Sequence, residues 1–154
     1  MEKKAWMSDE KSKVVVICGP TGIGKTAVSL EIADRFCGEI IGADSMQIYR
    51  YMDIGTAKPT RDERARIPHH MIDLINPDES MDVARFATLA RQEISHIFEK
   101  AVTPFVVGGT GLYIKGLVHG LFRAKFRNPS VRRQMEEEAA LYGVGALHRQ
   151  LKIS

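Results

Sequence analysis

Val14-Val15-Val16-Ile17-Cys18-Gly19-Pro20-Thr21-Gly22-Ile23-Gly24-Lys25-Thr26 is the stretch that decides the fold. Its first five residues are apolar and mostly β-branched, the pattern of a strand buried on both faces. The next eight fit G-x-x-x-x-G-K-T, a phosphate-binding loop. Each part of that pattern has a mechanical reason. Glycines let successive backbone N–H groups turn towards phosphate oxygens at the positive end of a following helix. Lys25 adds a mobile positive charge, and the Thr26 hydroxyl is a ligand suited to Mg²⁺. A helix does follow by pattern, with Val28, Ile32 and Phe36 at four-residue spacing and Gly38 as its stop.

Working outward, Glu39-Ile40-Ile41-Gly42-Ala43-Asp44 reads as a second strand that delivers Asp44 at its C-terminal end. Strand, helix and strand of these lengths make a βαβ unit of a parallel sheet. Thr60 and Glu63 form a capping box for a short helix, Thr60 to Arg66, stopped by Pro68. His70-Met71-Ile72-Asp73-Leu74 reads as a strand. Val83, Phe86, Ala90, Ile94 and Ile97 share one face of a longer helix. Thr103-Pro104-Phe105-Val106-Val107 is a further buried strand running into Gly108-Gly109-Thr110-Gly111, and a helical pattern resumes from Leu112 to Val118. The fold class expected is α/β, a P-loop NTPase-like three-layer parallel sheet.

After Phe122 the character changes. Arg123, Lys125, Arg127, Arg132 and Arg133 crowd one stretch, Ser130 to Tyr142 is a polar helix, and Leu147 to Leu151 begins another. The organisation expected is a polar tail over 1–12, an α/β core over 13–122 and a basic helical region over 123–154.

With 154 residues the chain can bury a real core, and 44% hydrophobic with 27% charged residues is ordinary for a globular protein. A net charge of +3 permits a polyanionic partner without demanding one. Cys18 and Cys37 have no metal-ligand spacing and read as reduced structural thiols. No apolar run approaches the ~20 residues of a membrane span, and Met1 to Lys13 lacks the apolar centre of a signal peptide, so a cytoplasmic location is expected. His69 and His70, adjacent on a strand, point to opposite faces and so do not share a metal. Asp53 and Asp73 read as structural, and Glu136-Glu137-Glu138 as a solvated helix face.

A P-loop NTPase also needs a strand-end carboxylate in its Mg²⁺ shell, yet the Phe105–Val107 strand ends in Gly-Gly-Thr. Asp44 is therefore either a Mg²⁺-shell ligand or a base acting on an acceptor. In an open parallel sheet the strand C-termini converge on one crevice, which places Gly19 to Thr26, Asp44 and Thr110 together. That geometry suits transfer chemistry.

Four further segments carry a specific resemblance: Gly42-Ala43-Asp44-Ser45-Met46-Gln47-Ile48-Tyr49, Met52-Asp53-Ile54-Gly55-Thr56-Ala57-Lys58-Pro59, Pro68-His69-His70-Met71-Ile72-Asp73 and Gly108-Gly109-Thr110-Gly111-Leu112-Tyr113. With the phosphate loop, they make the chain resemble a bacterial-type tRNA dimethylallyltransferase from Val14 to Leu151. The resemblance implies transfer of a dimethylallyl group from dimethylallyl diphosphate to N6 of the adenosine next to the tRNA anticodon, with Mg²⁺ as cofactor and the chain acting as a monomer. It implies that Gly19, Pro20, Thr21, Gly22, Ile23, Gly24, Lys25 and Thr26 hold the diphosphate, with Thr26 beside the metal. Asp44 becomes the general base. Ser45, Met46 and Gln47 hold the extruded base, while Thr110 and Arg132 contact tRNA, Thr110 near the reacting centre. Residues 123–154 become the start of a helical insertion that grips tRNA, cut short relative to the family, which weakens the expected turnover. Two other readings stand beside this one: a P-loop small-molecule kinase using ATP, and a catalytically inert phosphate-binding fragment. A close cousin, prenyl transfer to free adenine nucleotide, is disfavoured by the helical region after Phe122.

Overall fold

Parallel strands buried on both faces need helices on both sides, and the chain supplies them in sequence. The computed structural model describes residues 13–121 and 129–151. Two compact units result, residues 1–121 and 122–154. In the first, β1 (Val15–Cys18), α1 (Lys25–Arg35), β2 (Gly38–Gly42), α2 (Arg61–Arg66), β3 (His69–His70), α3 (Val83–Glu99), β4 (Thr103–Gly108) and α4 (Gly111–His119) follow one another. The four strands form a parallel sheet in the order β1-β4-β2-β3.

Alternation along the strands sends side chains into two cores. Ile40 and Phe105 pack with Leu30 and Ala33 of α1 on one face. Ile41 and Val106 pack with Phe86, Ala90, Ile94 and Ile97 of α3 and with Tyr113 and Leu117 of α4 on the other. The apolar face expected for α3 is thus the buried one. At its start Asp82 Oδ1 accepts from the Arg85 N–H at 2.8 Å, the usual stabilisation of a helix N-terminus. The Thr60–Glu63 capping box of α2 is also present, in both directions.

Four expectations need correction. β1 is an edge strand, paired with β4 alone among the described strands, so Val15 and Val16 stay 37% and 38% exposed and Cys18 is exposed too. Cys37 is likewise exposed. In α1 the buried residues are Ser29, Leu30 and Ala33, while Val28 and Phe36 are exposed; small residues at 29 and 33 let this face lie close against the sheet. Gly38 does not stop that helix: it opens β2, where a Cβ would come within 2.2 Å of the Phe105 ring. Third, β2 spans Gly38–Gly42, so Asp44 lies beyond the strand's end. Fourth, β3 is only His69–His70. Met71 and Asp73 adopt left-handed backbone (φ 62° and 53°), which ends extension. The chain instead folds back so that the Asp73 and Leu74 N–H groups donate to the Gln47 and Ile48 carbonyls.

In the second unit α5 (Pro129–Tyr142) and α6 (Val144–Leu151) pack on each other through a turn at Gly143, whose φ is 77°. Arg132 pairs with Glu136 and Arg133 with Glu137, each at 2.9 Å on an exposed face of α5. Arg123, Lys125 and Arg127 lie outside the described residues. No described helix is long and apolar enough to cross a membrane.

Candidate active site at the strand C-termini

The phosphate loop runs from the end of β1 into α1. Gly22 and Gly24 have φ of 85° and 92°, a conformation that glycine adopts at no steric cost. Gly24 is the N-cap of α1 and provides no side-chain cap, so the first N–H groups of the helix have no intrahelical acceptor. The cleft beside the loop, about 360 Å³, is lined at this end by Thr21, Gly22, Gly24, Lys25 and Thr26. The Lys25 ammonium donates to the Pro20 carbonyl at 2.8 Å. Gly19 contributes its carbonyl oxygen beside Gly109, and Ile23 is 66% exposed.

Asp44 and Gln47 line the same cleft. One carboxylate oxygen, Oδ1, accepts from the Met46 N–H at 2.9 Å, which folds the loop after β2 into a turn. The other oxygen stands over Gly109: a Cβ at that position would lie 3.7 Å from Asp44 Oδ2 and 3.9 Å from Lys25 Nζ. A carboxylate and a cation therefore converge on one small residue at the end of β4. Gly108 allows this convergence, since a Cβ there would be 2.0 Å from the Ala43 carbonyl oxygen.

Thr110 joins the two strand ends. Its N–H donates to the Ala43 carbonyl at 3.1 Å. Its hydroxyl accepts from the Ser45 N–H at 2.8 Å and donates to Ser45 Oγ at 3.2 Å. Thr110 and Ser45 are thus brought together directly behind Asp44. The Gln47 amide donates to the Thr56 and Ala57 carbonyls at 3.1 and 2.9 Å, so the loop of residues 50–58 is tied to the cleft wall. Met46 is 45% exposed. Arg132 belongs to the second unit.

His69 also lines the cleft, with Glu63, Thr56 and Ile72. Its Nδ1–H donates to the Ile67 carbonyl at 2.7 Å, because a carbonyl only accepts. Burial holds the His69 pKa below its ordinary 6.5, outweighing that hydrogen bond. His70 points to the other face, where its ring nitrogens meet Glu39 at 2.6 Å and Glu93 at 3.1 Å. Adjacent positions on a strand do point apart here, and no cluster of three metal-ligating side chains occurs among the described residues. Strand alternation could have placed His69 on the cleft side; nothing local marks Thr56 or Glu63.

Known proteins match most of this chain. Residues 47–153 match the family model described as IPP transferase, and residues 12–73 match the one described as isopentenyl transferase. The tRNA dimethylallyltransferase of Desulfosudis oleivorans is 51% identical over 143 residues, 93% of this chain and 46% of that protein. A full-length tRNA isopentenylpyrophosphate transferase from Bacillus halodurans superposes with a TM-score of 0.72 at 47% identity, over 93% of this chain and 48% of that one. A eukaryotic dimethylallyltransferase acting on tRNA gives 0.70 at 36% identity, over 81% and 31%. The chain spans about half the length of the curated relatives it matches. Since the family model takes in the Asp44 loop's end at Gln47, the Thr110 link and both helices of the second unit, the chain belongs to the IPP transferase family.

Proposed function

We propose that this chain carries the catalytic core of a tRNA dimethylallyltransferase, built on a P-loop NTPase-like sheet. The reading is supported above all by the convergence of Asp44 and Lys25 over Gly109 in one cleft. The loop amides and Lys25 take the diphosphate of dimethylallyl diphosphate. Asp44 Oδ2, the oxygen not held by Met46 N–H, accepts the proton leaving N6 of the target adenosine as the nitrogen–carbon bond forms. The bond from the allylic carbon to the diphosphate oxygen breaks in the same step. Charge growing on the departing pyrophosphate is met by Lys25 and by the N-terminus of α1. A carboxylate need only receive the proton late in the attack, as the nitrogen–carbon bond forms.

A Mg²⁺ ion fits this donor set. It takes hard oxygen ligands, holds several waters, and leans on substrate phosphates rather than on an all-protein cage. Thr26 is the residue that would hold it, with Asp44 lining the same cleft, and a bound ion would neutralise phosphate charge.

The adenosine must leave its stack to expose N6. Ser45, Met46 and Gln47 receive it, and Thr110 acts as a positioning residue through its two bonds to Ser45. Arg132 serves as an RNA contact of the second unit, as the resemblance implies.

The test is acceptor choice. The chain is incubated with labelled dimethylallyl diphosphate and Mg²⁺, and is offered unmodified tRNA or free adenine nucleotide; γ-labelled ATP with small acceptors runs in parallel. Label in tRNA is the expected result. Phosphate transfer without prenyl transfer contradicts it.

A further inference from the structure

A second cleft draws its walls from some of the same segments as the first. It measures about 620 Å³ and is lined by Arg50, Tyr51, Asp53, Arg61, Arg64 and Asp73 with Ala65. Short segments wall both clefts. Glu63 of α2 and Ile72 line the catalytic cleft, whereas Arg61 and Arg64 of α2 and Asp73 line this one.

Its floor is rigid. The Lys58 side chain is 2% exposed, and its ammonium binds Asp73 at 2.7 Å, Asp53 at 2.9 Å and the Tyr49 carbonyl at 2.7 Å. Arg64 completes the set on Asp73 at 2.6 Å. Both carboxylates are thereby spent on cations. Arg50 gives its Nε–H to the Asp73 carbonyl at 2.9 Å, and neither Arg50 nor Arg61 is in an ion pair with a described residue. The cleft therefore presents two arginines with charge to share. Between them the chain displays Tyr51, 82% exposed, on left-handed backbone at φ 64°. Such a conformation is unfavourable for a non-glycine residue, and here it holds an aromatic ring out in solvent beside two guanidinium groups.

Flat aromatic faces and guanidinium groups are what an unstacked nucleotide binds, by stacking and by phosphate pairing. We propose that this second cleft holds a nucleotide of the RNA substrate flanking the one that is modified. Tyr51 stacks on its base, and Arg50 and Arg61 take the adjoining phosphates. This rests on the tRNA reading above: with one base drawn into the catalytic cleft, a neighbour in the loop is unstacked and needs a platform.

The experiment is equilibrium binding of an unmodified anticodon stem-loop RNA to the whole chain, over a salt series. Tyr51→Ala weakens binding by about five- to fifty-fold with little change in salt slope, and Tyr51→Phe keeps it. Arg50→Gln with Arg61→Gln flattens the slope of log affinity against log salt by about 1.4, roughly 0.7 for each phosphate lost. Thermal midpoints show that the variants fold, and Arg61→Gln alone, which removes no described hydrogen bond, serves as the half-way variant. Wild-type binding that these variants leave unchanged overturns the second cleft while sparing the catalytic reading. Variants that bind RNA normally but lose self-association mark the patch as a protein contact and also overturn it. Wild-type protein with no affinity for the RNA overturns both.

Discussion

Asp44 is one residue whose two oxygens have different work. Oδ1 is held by the Met46 N–H and Oδ2 faces Gly109 and Lys25. On the proposed mechanism Asp44→Asn keeps the turn but removes the proton acceptor, so transfer should fall by about 10²- to 10⁴-fold while dimethylallyl diphosphate still binds; calorimetric titration of the variant checks the second half. Thr110 acts through Ser45, and Thr110→Val leaves the Ser45 N–H without its acceptor. A lost partner of this kind costs about 1–3 kcal/mol. The expected outcome is a fall in kcat with diphosphate affinity kept, and recovery in Thr110→Ser, which steady-state kinetics of the two variants decides. Lys58 is the structural counterpart. Burial alone lowers an ammonium pKa, but hydrogen bonds to Asp73 and Asp53 outweigh it and hold the value above 10.5. Lys58→Met removes one cation from Asp73, which keeps Arg64, and from Asp53, which is 65% exposed and stays solvated, so a loss of about 1–2 kcal/mol in urea unfolding is expected.

At the scale of elements, the strand ends decide where chemistry can sit. Gly108→Ala forces a Cβ to within 2.0 Å of the Ala43 carbonyl oxygen, a clash with backbone that cannot swing aside, and should cost about 3 kcal/mol or more. Gly111→Ala meets nothing within 4 Å and lies in α4, where alanine favours the helix; it should leave stability equal or slightly higher. Thermal denaturation of the pair separates a packing requirement from a generic dislike of side chains near the site. Much at this scale was legible. The phosphate loop, α2 with its capping box and the apolar face of α3 all follow from local rules, because glycine torsions, caps and periodicity are properties of short segments. The rest depended on partners distant in sequence. β1 carries the apolar run of a buried strand but stands at the sheet edge. Val28 and Phe36 have helical spacing, yet the contact is made by Ser29 and Ala33, whose small size is an asset only against a particular sheet. No local pattern distinguishes His70-Met71-Ile72-Asp73-Leu74 from a strand; its break comes from hydrogen bonds to Gln47 and Ile48. The second cleft was invisible for the same reason, since Arg50 and Tyr51 meet Arg61 only through the tertiary fold.

For the molecule as a whole, ionisation links stability to pH in a stated direction. Burial raises the Glu39 pKa, but hydrogen bonds from His70 and Lys100 outweigh it and bring the group below 4.5. Asp73 behaves alike: burial raises it, Lys58 and Arg64 bring it below 3.8. A depressed carboxylate stabilises the fold above its unfolded value, and that contribution is lost as pH falls through the folded one. His69, also depressed, binds fewer protons folded than unfolded, so protonating the unfolded chain begins to cost stability below its ordinary 6.5. Urea midpoints should therefore decline below about pH 6.5 and fall more steeply below about pH 4.5; a midpoint unchanged from about pH 7 to pH 4.5 contradicts the His69 effect, and one unchanged from about pH 4.5 to pH 3 contradicts the two carboxylate networks.

The most direct measurement of the central claim is a single turnover with protein in excess over unmodified tRNA, labelled dimethylallyl diphosphate and Mg²⁺, so that slow release of product does not hide the chemistry. The account predicts label on N6 of the adenosine beside the anticodon, recovered on nucleoside digestion, at a rate lowered about 10²- to 10⁴-fold in Asp44→Asn. Equal rates in the wild-type and Asp44→Asn proteins would contradict it, as would unlabelled tRNA when both substrates are bound.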